Sequence, residues 1–185
     1  MSYDLYCYKS HLGRPDLLEA QNAIEFDDYD KLGFDPEVKL KIAKVLTDFN
    51  PRLESFQFDY EEIANLQGIS VEKAREKFDH IELNTPEGDL ATEITIYGRF
   101  VSITVPYWYS EDNAGDVFKK ISDYTKIIRQ AVGYFVYDPQ LENVYDPLIQ
   151  DFNGLAVYQS TTEVVQQKMN EKSRSVKKKP WWKIW

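Results

Sequence analysis

The feature that most constrains the fold of this chain is an amphipathic segment that runs from about Ala114 to Val132. Its apolar residues recur at intervals of four, three, four and three positions, which places them on one face of an α-helix. These residues are Val117, Ile121, Tyr124, Ile128 and Ala131. Gly133 follows, as is common where a helix ends. The sequence therefore predicts a helix whose apolar face must be buried against a second layer of structure.

Segments with the composition of β-strands can supply that second layer. Val101, Ile103 and Val105 alternate with polar residues, which is the pattern of a half-buried strand. We expect strands at 81–85, 91–97 and 100–108 to pair antiparallel across turns rich in Pro, Gly and Asp. A further strand is predicted at 3–8, and a second hairpin is predicted around residues 139–143, where two Asp-Pro pairs mark strand ends.

Further helices are predicted on both sides of these strands. Pro15 and Pro36 suit the first turns of helices that reach about Glu25 and Phe49. Two short helices are expected at 60–67 and 70–78, and a last one at 161–172 with Ser160 as its cap. Strands and helices thus occur in blocks instead of alternating strictly. This order predicts an α+β fold, an antiparallel sheet with helices packed on one face.

Length and charge indicate one folded domain with an appended tail. A chain of 185 residues with 43% hydrophobic residues can bury a core without disulfides or metals. We therefore expect a single α+β domain at 1–172 and a basic, Trp-rich tail at 173–185. The net charge is −9, although the tail contains five cations and no carboxylate. Such an acidic chain is not expected to bind nucleic acid, which requires cationic contacts to phosphates.

Targeting and redox features favour the cytoplasm. Cys7 is the single cysteine, so no disulfide within the chain is possible. The first residues lack the basic and apolar regions of a signal peptide, and no apolar run is long enough to span a bilayer. We therefore expect a cytoplasmic protein.

The sequence contains no recognisable catalytic or metal-binding set. The two histidines, His11 and His80, are expected to be structural or exposed, and Cys7 to be a buried apolar residue. The acidic residues at 27–30 resemble the start of a calcium loop, but Leu32 and Lys39 stand where that loop needs oxygen ligands. No Gly-x-Gly phosphate loop occurs. We expect no metal and no cofactor.

Two carboxylates are the best candidates for acid–base chemistry. Asp138 and Asp146 each precede a proline, and the predicted hairpin could place both at one end. A carboxylate-dependent hydrolase would need such a pair, with a raised pKa on one member, in a concave pocket. Turn chemistry explains the Asp-Pro pairs equally well. We consider an enzyme the less favoured alternative.

The run Tyr107-Trp108-Tyr109 is a candidate binding surface. Successive side chains of a strand point to opposite faces, so three large rings in a row cannot all enter one core. Either Trp108 or the Tyr107 and Tyr109 pair should lie outside the main core. Exposed Tyr and Trp are typical of binding surfaces. The alternative is that another helix covers them.

The tail is the most unusual segment of the chain. Four lysines at 177–183 accompany the aromatic residues Trp181, Trp182 and Trp185. Lysine attracts anionic lipid head groups and tryptophan favours the bilayer interface, so a peripheral membrane contact is one interpretation. Binding to a protein partner and docking on the acidic body of the same chain are the others. The sequence leaves these alternatives open.

Two short segments suggest a relationship to other proteins. The opening Met1-Ser2-Tyr3-Asp4-Leu5-Tyr6 and the later Val136-Tyr137-Asp138-Pro139-Gln140 resemble a set of small uncharacterised bacterial proteins that share both segments. In its acidic, compact character the chain is also similar to bacterial immunity proteins, which neutralise a toxin by covering its active site. That resemblance implies a protein partner, and a basic one.

The sequence thus predicts a non-catalytic, protein-binding module that uses an acidic surface bearing aromatic residues. The residues expected at binding surfaces are Tyr107, Trp108, Tyr109, Asp138, Asp146, Trp181, Trp182 and Trp185. The expected partner is an unidentified basic protein, because an acidic patch accelerates encounters with a cationic surface. The main alternative is a peripheral membrane protein held by the tail.

Overall fold

A computed structural model describes residues 2–25, 36–86, 88–97, 99–109 and 111–175 of the chain. This part of the chain contains an antiparallel sheet of seven strands and the helices that cover it. The strands are β1 (Ser2–Tyr8), β2 (Glu54–Ser55), β3 (Ile81–Asn84), β4 (Glu93–Ile96), β5 (Phe100–Pro106), β6 (Phe135–Asp138) and β7 (Asn143–Tyr145). The helices are α1 (Leu17–Ile24), α2 (Pro36–Phe49), α3 (Tyr60–Gln67), α4 (Val71–Lys77), α5 (Glu111–Val132) and α6 (Leu155–Ser175). The predicted α+β class is confirmed.

The first strand lies in the middle of the sheet. The strand order is β2-β3-β4-β5-β1-β6-β7, so β1 joins the β4–β5 hairpin to the β6–β7 hairpin. Tyr6 pairs with Ser102 of β5 on one side and with Tyr137 of β6 on the other. The two halves of the sheet therefore meet along residues that are far apart in sequence.

One face of the sheet, which we call the inner face, carries the main core. Tyr3, Leu5 and Cys7 of β1 are fully buried there, as their predicted alternation requires. The stripe of α5 also packs into this core, and α2 lies beside α5. Burial of these apolar side chains contributes about 1.5–3 kcal/mol each. The predicted pairing of an amphipathic helix with a half-buried sheet is confirmed.

The opposite face, which we call the outer face, has a smaller core at one end only. There Tyr8, Phe100 and Phe135 pack with Ala20 and Ala23 of α1. Asp16 caps α1 by accepting from the Glu19 N–H, so Pro15 precedes the helix instead of opening it. The helices of the main core thus lie on the inner face, while α1 covers a corner of the outer face.

The last helix begins earlier than the sequence indicates. We expected residues 161–172 with Ser160 as the cap, but α6 starts at Leu155 and continues to Ser175. Ser160 lies within the helix, where its hydroxyl donates to the Val157 carbonyl at 3.0 Å. The predicted cap is therefore wrong, because a serine within a helix can satisfy its hydroxyl on a preceding carbonyl. The two-residue strand β2 was also missed, since it is too short to show a pattern.

Among the described helices, none is both long and apolar enough to cross a membrane.

The centre of the inner core is a group of five rings that we call the aromatic cluster, namely Tyr3, Tyr107, Phe118, Phe152 and Tyr158. The ring of Tyr3 lies 5.2 Å from that of Phe118 and between 6.1 and 6.2 Å from the other three. These are the edge-to-face arrangements that aromatic pairs prefer, each contributing about 0.5–1.5 kcal/mol beyond area burial. The cluster attaches α5 and α6 to the sheet.

Gly154 makes the approach of α6 to this cluster possible. A Cβ at this position would overlap the Tyr3 hydroxyl and would lie 2.6 Å from Cζ of Phe152. Both rings are packed on other sides, so neither can move without cost. Position 154 therefore requires glycine because no space is left for a Cβ atom, and not because of its backbone conformation.

We predict that Gly154→Ala lowers the free energy of unfolding by about 2 kcal/mol, as overpacked cores usually do. Gly115→Ala is the matched control, because the site lies within α5 and a Cβ there would lie within 4 Å of no described residue outside its own helix turn. That control should be stabilised by about 0.5–1 kcal/mol, since alanine is the better helix former. Urea denaturation of both variants measures the difference. Equal effects of the two substitutions would show that the Tyr3 contact does not constrain the fold.

Candidate functional site

The run Tyr107-Trp108-Tyr109 leaves the end of β5 and divides between core and surface. Tyr107 is buried in the aromatic cluster, and Tyr109 is half-buried against the same core. Trp108 keeps 64% of its surface exposed. Of the two arrangements that the sequence allowed, the structure thus has the one with Trp108 outside.

Both sides of Trp108 are anchored. The Tyr158 hydroxyl donates to the Pro106 carbonyl at 2.6 Å and accepts from the Tyr109 N–H at 3.2 Å. The Tyr109 hydroxyl in turn accepts a hydrogen bond from the Ala91 N–H. The backbone on both sides of Trp108, at Pro106 of β5 and at Tyr109, is therefore held by Tyr158 of α6. A ligand would meet a largely preformed surface.

The strand residues of the outer face towards the end of β5, which Trp108 follows, include carboxylates and no lysine or arginine. Asp4 of β1 and Glu93 of β4 stand opposite Thr104 of β5, one on each side. The Thr104 hydroxyl donates to Asp4 Oδ1 at 2.9 Å, and Glu93 is exposed. None of the strands that the structure describes contains lysine or arginine. We call this surface, formed by Asp4, Glu93, Thr104 and Trp108, the acidic patch.

Asp138 lies inside the protein instead of on a surface. It is fully buried on the inner face, where the Tyr3 hydroxyl donates to Oδ2 at 2.5 Å. The backbone N–H groups of Gln140 and Leu141 donate to Oδ1 at 3.0 and 3.2 Å. Burial raises the pKa of this carboxyl, and the three hydrogen bonds oppose that rise. Burial and the bond to Asp138 likewise raise the pKa of Tyr3.

Asp146 has a different environment. Its Oδ1 accepts from Nε of Arg129 at 3.1 Å and its Oδ2 accepts from Nη2 at 2.7 Å, a bidentate ion pair. The hydrogen bonds from Arg129 lower the pKa of this carboxyl. Its Oδ1 also accepts from the Leu148 N–H at 3.0 Å, which stabilises the turn after β7. Asp146 thus fixes both an arginine and a turn.

The two carboxylates do not share an end of the hairpin. Asp138 pairs with Asn143 beside the turn, whereas Tyr145 pairs with Val136 towards the open end, where Asp146 follows. The expectation that the hairpin places both at one end is therefore wrong. The registers separate them because Asp138 ends β6, while Asp146 follows the end of β7. With one carboxylate buried and the other paired with arginine, this arrangement does not form an acid–base pair.

Sequence analysis missed a cleft of about 400 Å³ at the end of the sheet where β1 finishes. Arg14 from the β1–α1 loop and Arg129 from the last turn of α5 both line it, together with Asp146. Arg129 stands four residues before Gly133, and its Nη1 donates to the Gly133 carbonyl at 2.8 Å. A basic residue near a helix C-terminus is an ordinary sequence feature, so nothing in the sequence pointed to the cleft.

The other candidate residues have ordinary environments. Cys7 is fully buried, which raises the pKa of its thiol. His80 lies 3.0 Å from Glu82 through Nε2 and packs between the rings of Phe58 and Tyr97. His11 is exposed. In the described ranges, no group of three or more His, Cys, Asp or Glu side chains is placed to hold a metal ion.

Two predicted segments cannot be placed in this fold. Trp181, Trp182 and Trp185 of the tail lie outside the described residues, as do residues 26–35 with most of the acidic loop. Comparison with models of protein families, with curated proteins and with solved structures finds no match to this chain. The residues themselves therefore carry the functional argument.

We predict that Asp138→Asn and Asp146→Asn change the pH dependence of stability in opposite ways. The pKa of Asp138 is raised by folding, so the stability that its proton contributes is complete below about pH 4 and is lost as the pH rises through the folded pKa. The free energy of unfolding of wild type should therefore rise relative to that of Asp138→Asn as the pH falls from 7 towards 4. Urea denaturation at several pH values measures this difference.

Asp146 supplies the control of opposite sign. Its folded pKa is lowered, so its contribution is present above about pH 4 and is lost as the pH falls through the folded pKa. The advantage of wild type over Asp146→Asn should hold from neutral pH to about pH 4 and shrink below it. If both comparisons moved in the same direction, the environments assigned to these carboxylates would be incorrect.

Proposed function

We propose that this protein is a non-catalytic binding module of the bacterial cytoplasm whose acidic patch engages a basic protein, in the manner of a toxin-immunity protein. The observation that carries the proposal is Trp108, 64% exposed beside a sheet surface that has carboxylates and no cation in its described strands. Acidic carboxylates with an exposed aromatic ring are complementary to a lysine- or arginine-rich surface.

The environment of Trp108 favours binding over a purely structural role. Tryptophan is enriched among the residues that dominate interface energies, because a single ring buries a large area. The anchored loop lowers the entropic cost of binding, since the backbone on either side is already fixed by Tyr109 and Tyr158. Arginine or lysine from a partner could also lie over the indole face, which attracts cations.

The charges around Trp108 supply attraction at longer range. Asp4 and Glu93 flank Thr104, and the net charge of the whole chain is −9. A surface of one sign increases the rate at which an oppositely charged partner arrives, and salt weakens this effect. The proposal therefore implies an association that depends on salt and on the charge at this patch.

We predict that Glu93→Lys weakens the binding of a cationic probe at the acidic patch. The full chain with Phe at 181, 182 and 185 retains Trp108 as its one tryptophan, since the sequence has four. Titration with octalysine at low salt should change the Trp108 fluorescence, with about fivefold weaker binding after Glu93→Lys. Higher salt should reduce binding in both proteins.

Glu37→Lys is the matched control, because it changes the total charge equally but lies exposed at the start of α2. Octalysine should bind this control nearly as well as the parent protein. Equal weakening by the two substitutions would mean that net charge alone attracts the probe. An unchanged Trp108 signal during saturation would place the interaction elsewhere and would count against the acidic patch.

A second proposal is a peripheral membrane contact through the tail, which its sequence favours. Residues 173–185 combine five cations with three tryptophans. Cations near an anionic surface contribute about 1 kcal/mol each, and tryptophan prefers the interface. This proposal does not involve the acidic patch, so both functions could belong to one chain.

We predict that the full chain sediments with anionic lipid vesicles at low salt. A chain ending at Lys172 lacks the five cations of the tail, so its affinity for these vesicles should be at least about tenfold lower. Vesicles of neutral lipid are the control and should retain neither protein. Moderate salt should release the full chain. If both chains bound anionic vesicles equally, the contact would lie on the folded body and the tail proposal would fail.

A further inference from the structure

The cleft between the β1–α1 loop and the turn after β7 differs in charge from the rest of this acidic protein. It has a volume of about 400 Å³, which lies within the usual range for small-molecule sites. Among the described residues, the lining side chains that are charged at neutral pH are Arg14, Arg129 and Asp146, so two cations face one carboxylate. The cleft is therefore net positive in a chain whose total charge is −9.

Arg129 is held in place and still has donors available. Asp146 takes the Nε and Nη2 donors, the Gly133 carbonyl takes one from Nη1, and the guanidinium lies 4.1 Å over the ring of Phe135. A guanidinium has five N–H groups. In the described part of the chain three of them are used in this way, so two remain for an added acceptor. Because the group is fixed by its partners, little entropy is lost when it binds.

Arg14 supplies the second cation without any competing partner. It is exposed, and within the described residues it makes no hydrogen bond or ion pair. The loop that carries it is nevertheless ordered at both ends. Glu19 accepts from the Ser10 hydroxyl at 2.6 Å, and the Tyr8 hydroxyl accepts from the Asp16 N–H at 2.8 Å. An arginine that has no partner among the described residues is thus presented at the cleft by an anchored loop.

The remaining walls are mainly apolar. Pro15, Phe135, Val144 and Ile149 line the cleft. Ile149 is 86% exposed, so its apolar side chain is accessible to a ligand in the cleft. A hydrated inorganic anion would leave these walls without a partner. An anion that carries a flat apolar group would contact both the arginines and the walls.

We propose that this cleft binds a carboxylate attached to an apolar, flat group, either as a small free acid or as the C-terminal residue of a peptide. Arginine recognises carboxylates through paired N–H donors, and Val144 and Ile149 provide apolar area for the attached group. This site is independent of the acidic patch. The two sites lie at opposite ends of β1. Trp108 lies near the start of β1, because Pro106 pairs with Ser2, whereas the cleft lies beyond Tyr8, the last residue of β1.

The experiment is a titration of the ¹⁵N-labelled full chain with 3-phenylpropionate, followed by amide chemical shifts. Binding on the order of 1 mM is expected for a ligand of this size. The amide shifts are expected at residues 13–14, 144–146 and 148–150, since the prolines between them have no amide proton. The amide of the same acid should produce no saturable shift, because it lacks the charge. Gly-Gly-Phe with a free C-terminus is the third probe. Tighter binding of this peptide than of the acid identifies a peptide C-terminus as the ligand, and weaker binding identifies a small acid.

Arg14→Gln should weaken binding of 3-phenylpropionate about tenfold, as loss of a charged hydrogen bond does. Ile149→Ser should also weaken it, since it removes apolar contact. Arg52→Gln is the control, because Arg52 is exposed and paired with Asp89 away from the cleft. The proposal would be overturned if the acid and its amide bound equally, or if Arg14→Gln and Arg52→Gln had equal effects. It would also be overturned if 3-phenylpropionate gave no saturable shift at a concentration of about ten times the expected dissociation constant. None of these results depends on the acidic patch.

Discussion

The hydrogen bond between Tyr3 and Asp138 joins the elements on which the rest of the structure depends. Tyr3 belongs to the central strand β1, and Asp138 ends β6 and holds the turn of the second hairpin through its other oxygen. The ring of Tyr3 also packs against residues of α5 and α6. A buried donor or acceptor left without its partner costs about 1–3 kcal/mol, so the loss of either side chain destabilises this core. One buried contact therefore coordinates the sheet, a hairpin and two helices.

This core determines where binding surfaces can form. The inner face is filled by helices, and α1 covers one corner of the outer face, so the exposed surface near Trp108 lies at the end of β5. The cleft lies beyond the opposite end of β1, where Tyr8 holds the loop that presents Arg14. The two surfaces thus lie towards the two ends of one central strand, β1. Their chemistries are opposite, carboxylates at one end and arginines at the other.

Patterns that repeat along the sequence could be predicted, and contacts between distant residues could not. The stripe of α5 and the alternation of Tyr3, Leu5 and Cys7 identified the core because burial imposes a period on each element. The start of α6 depends on Gly154 and Tyr3 meeting in space, which no local pattern encodes. The sequence singled out Asp138 and Asp146 as a candidate carboxylate pair, but the environment of each depends on a partner from another element, Tyr3 of β1 and Arg129 of α5. Arg14 and Arg129 meet at the cleft for the same reason.

The charge of the whole chain imposes different requirements on the two surfaces. A cationic partner of the acidic patch is attracted at distances up to about one Debye length, roughly 8–10 Å at physiological salt. An anion approaching the cleft meets repulsion from the acidic body before it reaches Arg14 and Arg129. The cleft therefore cannot depend on long-range attraction, and a ligand must gain most of its affinity from contact. The remaining donors of a fixed Arg129 and the apolar side chains of Val144 and Ile149 provide that contact, so a carboxylate with an apolar group suits this cleft better than a simple ion.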